Sequence, residues 1–319
     1  MKIKSTAVIL GLAGAAMLSC MVSAEEAKRI AYTTMALSSP YFTEVSQGIQ
    51  KGCEERGWEC TIQDPAMDAG KQLAAIEDFI EQKYDAIIIS AVDSAAVVDV
   101  VKQAKEAGIK VIGTSTEIEG ADAFVSAGEY EMGEAVGTAI GQWSQENLEG
   151  DLIGVTFGTI NDPNVMIREQ GMRESFEKEY TNGEISWINE PGTIGGVDSD
   201  DGMNNMEAIL QSNPDINIIM GSNDDGILGA YEAAKAAGKD LTKMAFGAVN
   251  AVQQALDEIK EEKDTGEGAY RATVDITPFE HGERDVEVVE ALFNGEEFTE
   301  QVIIPAKAVT WDNIDEYFE

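Results

Sequence analysis

The sequence predicts an α/β protein of two doubly wound parallel-sheet lobes joined by three hinge crossings. Strand-like and helix-like segments alternate from Ile30 to near the C-terminal end, a pattern that builds parallel sheets with helices on both faces. Two near-continuous apolar runs, Asp85–Ser90 and Ile216–Gly221, recur at the same step of two βα series. Such runs suit strands buried on both faces. No Pro/Ser linker or low-complexity run divides the series, which favours lobes joined by several crossing segments over separate beads.

Element by element, Ile30–Thr34 is a strand, followed by the loop Ser38-Ser39-Pro40 and a helix over Tyr41–Arg56 that Gly57 stops. Trp58–Ile62 is a strand. Lys71–Gln82 is a helix, with Leu73, Ile76, Phe79 and Ile80 on one face. The strand Asp85–Ser90 leads to a helix over Ala95–Ala107, capped by Asp93 or Ser94 and ended at Gly108. Lys110–Gly113 and Ala123–Ser126 are strands. The rhythm then restarts with helix Tyr130–Asn147, strand Asp151–Phe157, helix Asn164–Tyr180 and strand Glu184–Asn189. Helix Asp198–Ser212 and strand Ile216–Gly221 follow, and Asn223 or Asp224 caps a helix ending near Gly238. Strand Lys243–Phe246, helix Ala251–Glu262, strand Arg271–Ile276, helix Pro278–Asn294 and strand Gln301–Ile304 complete the series, ahead of an acidic tail with Trp311 and Tyr317.

The 319 residues suit roughly two domains. A net charge of −37 argues against nucleic acid or an anionic membrane surface as partner; solubility is its simplest reading. Residues 1–24 read as a secretory signal. Lys2 and Lys4 precede an apolar run, Ala7–Met21, that is short for a membrane span and ends in Val22-Ser23-Ala24. Cleavage after Ala24 satisfies the small-residue rule. Met17-Leu18-Ser19-Cys20 loosely resembles a lipoprotein box, the competing reading, in which Cys20 is lipidated. Either route places the protein outside the cytoplasm, in the periplasm or at the cell surface. Cys53 and Cys60 then remain, open either to a disulfide or to two buried thiols. With a single histidine, His281, and no C-x-x-C, no metal site is predicted.

No G-x-G-x-x-G follows the first strand, and neither a P-loop nor a G-x-S-x-G elbow occurs. No cofactor and no catalytic residue is predicted. Binding is better supported. In an open α/β sheet, loops leaving the carboxyl ends of the strands face the ligand crevice. The first such loop carries Ser39, Tyr41 and Phe42. The two rings offer flat apolar faces, although Phe42 is equally open to a role in the helix core. Arg168 lies early in the helix after strand Asp151–Phe157, where its fork can hold two oxygens; a salt bridge to Glu169 or Glu174 is the competing reading. Asn223 combines an N-cap with the ligand end of a strand. Ser115 and Thr116, Asn250 and Asp275 stand at the ends of three further strands.

At these residues the chain resembles a type I periplasmic solute-binding protein of the ribose/galactose-binding group. The resemblance spans residues 28–310. It rests on Ser39-Pro40-Tyr41-Phe42, Asp85–Ser90, Gly108–Ile112, Arg168–Met172, Asn223–Ala230 and Ala272–Gly282. It implies a periplasmic binding protein-like fold and a role in ABC import. It also implies stacking roles for Tyr41 and Phe42 and ligand roles for Arg168 and Asn223. The position of Ser39 is often a ligand-binding Asn in the family. Two departures stand out: Ser115-Thr116 where ribose binders place Asp-Arg, and Gly247-Ala248-Val249-Asn250 where they place Gly-Phe-Asp. The Gln or Asn that ribose binders carry near Asp275-Ile276-Thr277 is also unmatched. Lost polar partners discriminate strongly between ligands, so the pocket is expected to suit a smaller polyol, a modified sugar or another small polar solute.

The expected function is therefore capture of a monosaccharide, polyol or related solute by a monomer that delivers it to an ABC permease. Docking on a chemoreceptor or sensor kinase is the alternative, and a secreted enzyme a third. Hinges are expected near Ser126–Gly128, Ile276–Pro278 and Pro305–Lys307. They divide the chain into an N-terminal lobe of 25–127 plus 277–305 and a C-terminal lobe of 128–276 plus 306–319.

Overall fold

The computed structural model describes residues 27–318. The signal segment, its cleavage site and Cys20 lie outside the described residues. The first series runs β1 (Arg29–Thr33), α1 (Pro40–Arg56), β2 (Glu59–Gln63), α2 (Ala69–Glu81), β3 (Ala86–Ile89), α3 (Val98–Glu106), β4 (Lys110–Thr114) and β5 (Ala123–Ala127). The second runs α4 (Glu129–Asn147), β6 (Leu152–Phe157), α5 (Pro163–Glu179), β7 (Ile185–Trp187), α6 (Ser199–Ser212), β8 (Ile218–Gly221), α7 (Asp224–Ala236), β9 (Ala245–Gly247), α8 (Gln253–Thr265) and β10 (Tyr270–Asp275). α9 (Pro278–Phe293), β11 (Val302–Ile304) and β12 (Lys307–Thr310) close the chain.

The strands form two six-stranded sheets, ordered β2-β1-β3-β4-β5-β11 and β7-β6-β8-β9-β10-β12. The first five strands of each sheet follow the same order, 2-1-3-4-5 in their own series, and every pair is parallel except β10–β12. In this order ligands bind beyond the carboxyl ends of the strands, at the switch between the first and third. The chain passes between the sheets three times: from β5 into α4, from β10 into α9, and from β11 into β12. α4 packs on β9 and β10, and α9 on α1, β4 and β5.

Alternate residues of each central strand enter cores on opposite faces. Ile30, Tyr32 and Ile88 meet Val45 and Ile49 of α1 and Val286 and Val289 of α9. Ala31, Ile87 and Ile89 meet Ile76 and Phe79 of α2 and Val100 and Val101 of α3. The second sheet divides likewise. Val155, Phe157 and Ile219 face α6 and α7, whereas Ile218, Met220 and Val274 face α4 and α5. Burial on both faces is what the two apolar runs signalled.

Element boundaries depart from the expected ones where side chains divert the backbone. Asp93 accepts from the N–H groups of Ala95 and Ala96, holding a turn, so α3 begins at Val98. Asn250 and Ala251 have φ of 109° and 49°, so α8 begins only at Gln253. The sequence reading placed no strand at β12. That strand has four residues, pairs antiparallel with β10 and buries Val309. So short an edge strand carries almost no period for alternation to reveal. Cys53 and Cys60 are joined as a disulfide between the end of α1 and β2.

Candidate functional site

The sites predicted from sequence fall into two half-sites, each at the carboxyl ends of one sheet. In the first, Pro40 opens α1 with its fixed φ. Ser39, just before it, has φ −86° and makes no side-chain capping bond, which leaves its hydroxyl uncommitted. Tyr41 is half-buried against the β1–α9 core, with its ring 5.1 Å from Phe42 and nearly edge-on. Phe42 is half-buried but is not part of the packed core. Ser115 and Thr116 leave β4 half-buried, and Ser115 adopts a left-handed φ of 59°.

The Tyr41 hydroxyl stands 3.0 Å from Ser115 Oγ and 2.8 Å from His281 Nδ1. Burial pushes its pKa up to about 12, with the Ser115 bond opposing. His281 is fully buried behind Tyr41 and lowered to about 4 by that burial. Below the pocket, Gln72 Nε2 donates to the carbonyls of Thr34 and Ser90, and its Oε1 accepts from Val92 N. One amide thereby fixes the loops after β1 and β3.

In the second half-site, Arg168 lies in the second turn of α5. A Cβ on Gly133 of α4 would overlap the Arg168 carbonyl oxygen, so this glycine sets how closely α5 approaches α4. The Arg168 guanidinium takes neither expected partner. Nε and Nη2 donate to Glu129 Oε2 at 2.8 and 2.7 Å, and Nη1 donates to the Ser222 carbonyl at 2.6 Å. Glu169 instead accepts from Thr156 Oγ1 and Gly192 N, and Glu174 from Tyr130 and Gln170. Guanidinium has five N–H donors. Three are used, so one on each terminal nitrogen remains uncommitted.

Asn223 caps α7, accepting from Gly226 N at 2.9 Å, and its amide donates to the Gly196 carbonyl. One amide proton is left over. Asn250 is exposed on its left-handed turn. Asp224 holds these two loops together. It is fully buried and accepts from Tyr270 Oη, Thr273 Oγ1 and Val252 N, and burial pushes its pKa up to about 7. Asp275 sits at the second crossing. Its Oδ1 accepts from Thr277 N and its Oδ2 from Tyr317 Oη, at 2.8 and 3.0 Å.

Backbone strain gathers at this end of the molecule. Of the eight non-glycine residues with positive φ among the described residues, seven lie in loops leaving the carboxyl ends of strands: Ala66, Met67, Ser115, Asn161, Asn250, Ala251 and Thr277. Such conformations cost about 1–3 kcal/mol each and cluster at functional sites. Among the described residues, no side-chain hydrogen bond or ion pair joins one half-site to the other. A cavity of about 700 Å³ lies between α4 and β12 of the second lobe. It contains none of the predicted site residues, and its walls Trp143 and Trp311 are stacked on Arg271.

Sequence reasoning missed Glu129, Thr114 and Asp285. A His and an Asp four residues apart on α9 were the one available signal for the last. No helix among the described residues is long and apolar enough to cross a membrane.

The chain is 27% identical over 284 residues to the ribose import binding protein of Bacillus subtilis (strain 168), covering 88% of this chain and 87% of that protein. It is 25% identical to the xylitol-binding protein of Mycolicibacterium smegmatis, over 91% of this chain and 79% of the relative. An ABC transporter solute-binding protein from Bacillus halodurans C-125, solved with bound myo-inositol, superposes with a TM-score of 0.65 at 27% identity, covering 92% of this chain and 99% of that one. The model of the periplasmic binding protein domain matches residues 30–297. Two like-ordered parallel sheets, crossed three times by the chain and carrying polar loops at matching ends, agree with that match, and the chain belongs to the periplasmic binding protein family.

Proposed function

We propose that the protein captures a small, neutral, polyhydroxylated solute between its lobes and hands it to an ABC permease. The observation that carries this reading is the state of Arg168. It is the one cation among the predicted site residues, and Glu129 already neutralises it while leaving two N–H groups spare. A neutralised guanidinium suits hydroxyl oxygens better than a carboxylate or phosphate. The acidic surroundings agree: burial, then Asp275 and Glu280, hold the Glu44 carboxyl above its usual range beside the crossing. The relatives named above for ribose, xylitol and myo-inositol support a monosaccharide, polyol or cyclitol.

In this reading Ser39, Ser115, Thr116, Arg168, Asn223, Asn250 and Asp275 supply hydrogen bonds, and Tyr41 and Phe42 cover the apolar face of the ligand. Asp275 keeps acceptor capacity after its two present bonds, because an ionised carboxylate has about four acceptor sites. The lobes close about the three crossings. The protein is exported, works as a monomer and catalyses nothing.

A thermal-shift screen of sugars, polyols and cyclitols, with sugar acids and sugar phosphates as controls, tests the class. A ligand that binds only the native state raises the melting temperature. Neutral polyhydroxylated compounds should do so and the acids should not. For a confirmed hit, Arg168→Ala should weaken binding at least about tenfold, since hydrogen bonds from a charged donor contribute about 1.5–3 kcal/mol. Unchanged affinity would remove Arg168 from the site.

A further inference from the structure

From Ser115 and Tyr41 an unbroken line of polar side chains runs inward to Thr114, His281 and Asp285, which the proposed ligand contacts do not use. Ser115 Oγ meets Tyr41 Oη at 3.0 Å, and Tyr41 Oη meets His281 Nδ1 at 2.8 Å. On the far side of the ring, His281 Nε2 meets Thr114 Oγ1 at 2.9 Å, and Thr114 Oγ1 meets Asp285 Oδ2 at 2.8 Å. Thr114, His281 and Asp285 are all 0% exposed, and Ser115 and Tyr41 are half-buried at the cleft end.

Each hydroxyl has one proton to donate, and a neutral imidazole has one N–H. Each link is therefore oriented by its neighbour, and the Val125 carbonyl is a further acceptor beside His281. When Asp285 is a neutral acid, it donates to Thr114, Thr114 donates to Nε2, Nδ1–H donates to Tyr41 and Tyr41 donates to Ser115. The Ser115 proton is then left for the cleft. When Asp285 is ionised, Thr114 donates to it and every other link reverses. Tyr41 then donates to Nδ1, Ser115 donates inward to Tyr41, and only lone pairs face the cleft.

We propose that Asp285, acting through Thr114, His281 and Tyr41, sets whether Ser115 offers the cleft a proton or a lone pair, and that at neutral pH it offers a proton. That Ser115 meets the ligand rests on the function proposed above; the line of hydrogen bonds does not. Asp285 Oδ1 is buried without any partner, a costly arrangement for an ionised carboxylate. The ionisable groups facing Asp285 are His281, 3.8 Å away on the same helix, Tyr41 from α1 and Tyr32 from β1. β4 brings Thr114 to it, and β5 and β11 contain no ionisable side chain. The α1 cations Lys51 and Arg56 are paired with Glu283 and Glu290 instead. With no cation beside it, burial lifts the Asp285 carboxyl well above the usual range. Burial also lowers His281 to about 4, with the Val125 carbonyl opposing. Burial therefore favours the neutral form of both groups. Asp285 is a positioning residue, since three side chains separate it from Ser115.

His281 is the only histidine in the chain, so ¹⁵N-histidine NMR reads its tautomer without assignment. At pH 7 the wild type should be mainly Nδ1–H. As rising pH ionises Asp285, the population should move toward Nε2–H. Asp285→Asn, whose amide N–H donates to Thr114 at every pH, should stay Nδ1–H throughout. Thr114→Val, which cuts the line and serves if the Asn variant does not fold, should lose the Nδ1–H majority. An Nε2–H wild type at pH 7 overturns the proposal. So does an Asn variant that shifts with pH as the wild type does, or a Thr114→Val variant that keeps Nδ1–H. For a hit from the thermal-shift screen, Ser115→Ala should weaken binding severalfold. Unchanged affinity would detach Ser115 from the ligand while leaving the tautomer result, and so the line itself, intact.

Discussion

Arg168, Asn223 and Asp275 each reach the cleft end of their strands with part of their hydrogen-bonding capacity already used within their own lobe. Partial commitment fixes the rotamer and reduces the ordering that a ligand would otherwise have to impose. Asn250 is the contrasting case. It is exposed, its φ is 109°, and its side chain makes no hydrogen bond among the described residues. Asn250→Gly should relieve the backbone and stabilise the protein by about 1 kcal/mol. If Asn250 contacts ligand, the same change should weaken binding of a screened hit. Urea denaturation and calorimetric titration read the two effects separately, and a loss of stability would show that no strain is stored there. The roles of Asn223 as cap and of Ser115 as strand-end residue could be read from neighbours in sequence. Glu129 could not, because it reaches Arg168 from 39 positions away, while Glu169 and Glu174 stood closer in the chain.

At the scale of elements, helix pairs locate the half-sites. α4 and α5 make the most extensive helix contact in the molecule, and Gly133 lies where α4 meets the Arg168 backbone. Gly133→Ala should force the helices apart, at a cost of about 1–3 kcal/mol, and displace the guanidinium from Glu129 and the Ser222 carbonyl. Stability and affinity for a screened hit should fall together. A variant of native stability and affinity would mean that the helices yield without moving Arg168. Strand and helix identities were legible across most of the chain, because central strands buried on both faces and amphipathic helices leave strong periodic signals. What escaped was short or locally diverted. β12 has only four residues, and the starts of α3 and α8 were moved by an Asp turn and by left-handed residues. The pairing of Cys53 with Cys60 was open because side-chain geometry, absent from a sequence, decides it.

For the whole molecule, the buried carboxyls set the pH response. Burial raises Asp224 to about 7, and it also raises Glu169, Glu262 and Asp285. In the unfolded chain these groups return to ordinary carboxylate values. The native state therefore binds more protons, and stability is greatest on the acidic side and falls as pH rises toward and through 7. The net charge of −37 acts in the same direction, since self-repulsion grows as the remaining carboxyls ionise. Two effects oppose this: lowered carboxyls such as Glu174, Asp240 and Asp315, which are exposed to solvent and contribute little, and His281, lowered to about 4, which favours the unfolded state below about pH 6.5 but is one group against four buried carboxyls. The urea midpoint should be higher at pH 5.5 than at pH 8, and the reverse order would mean that the buried acids are ionised in the native state.

The return of the chain to each sheet also governs when either lobe can exist. The core under β1 needs Val286 and Val289 from α9 and Ile304 from β11. The core under β10 is completed by Val309 and Ile314. During synthesis, neither lobe can bury its own interior until almost the last residue has left the ribosome. Contacts so distant in sequence form slowly. The same three crossings that complete both cores therefore delay the collapse of a nascent chain of this topology.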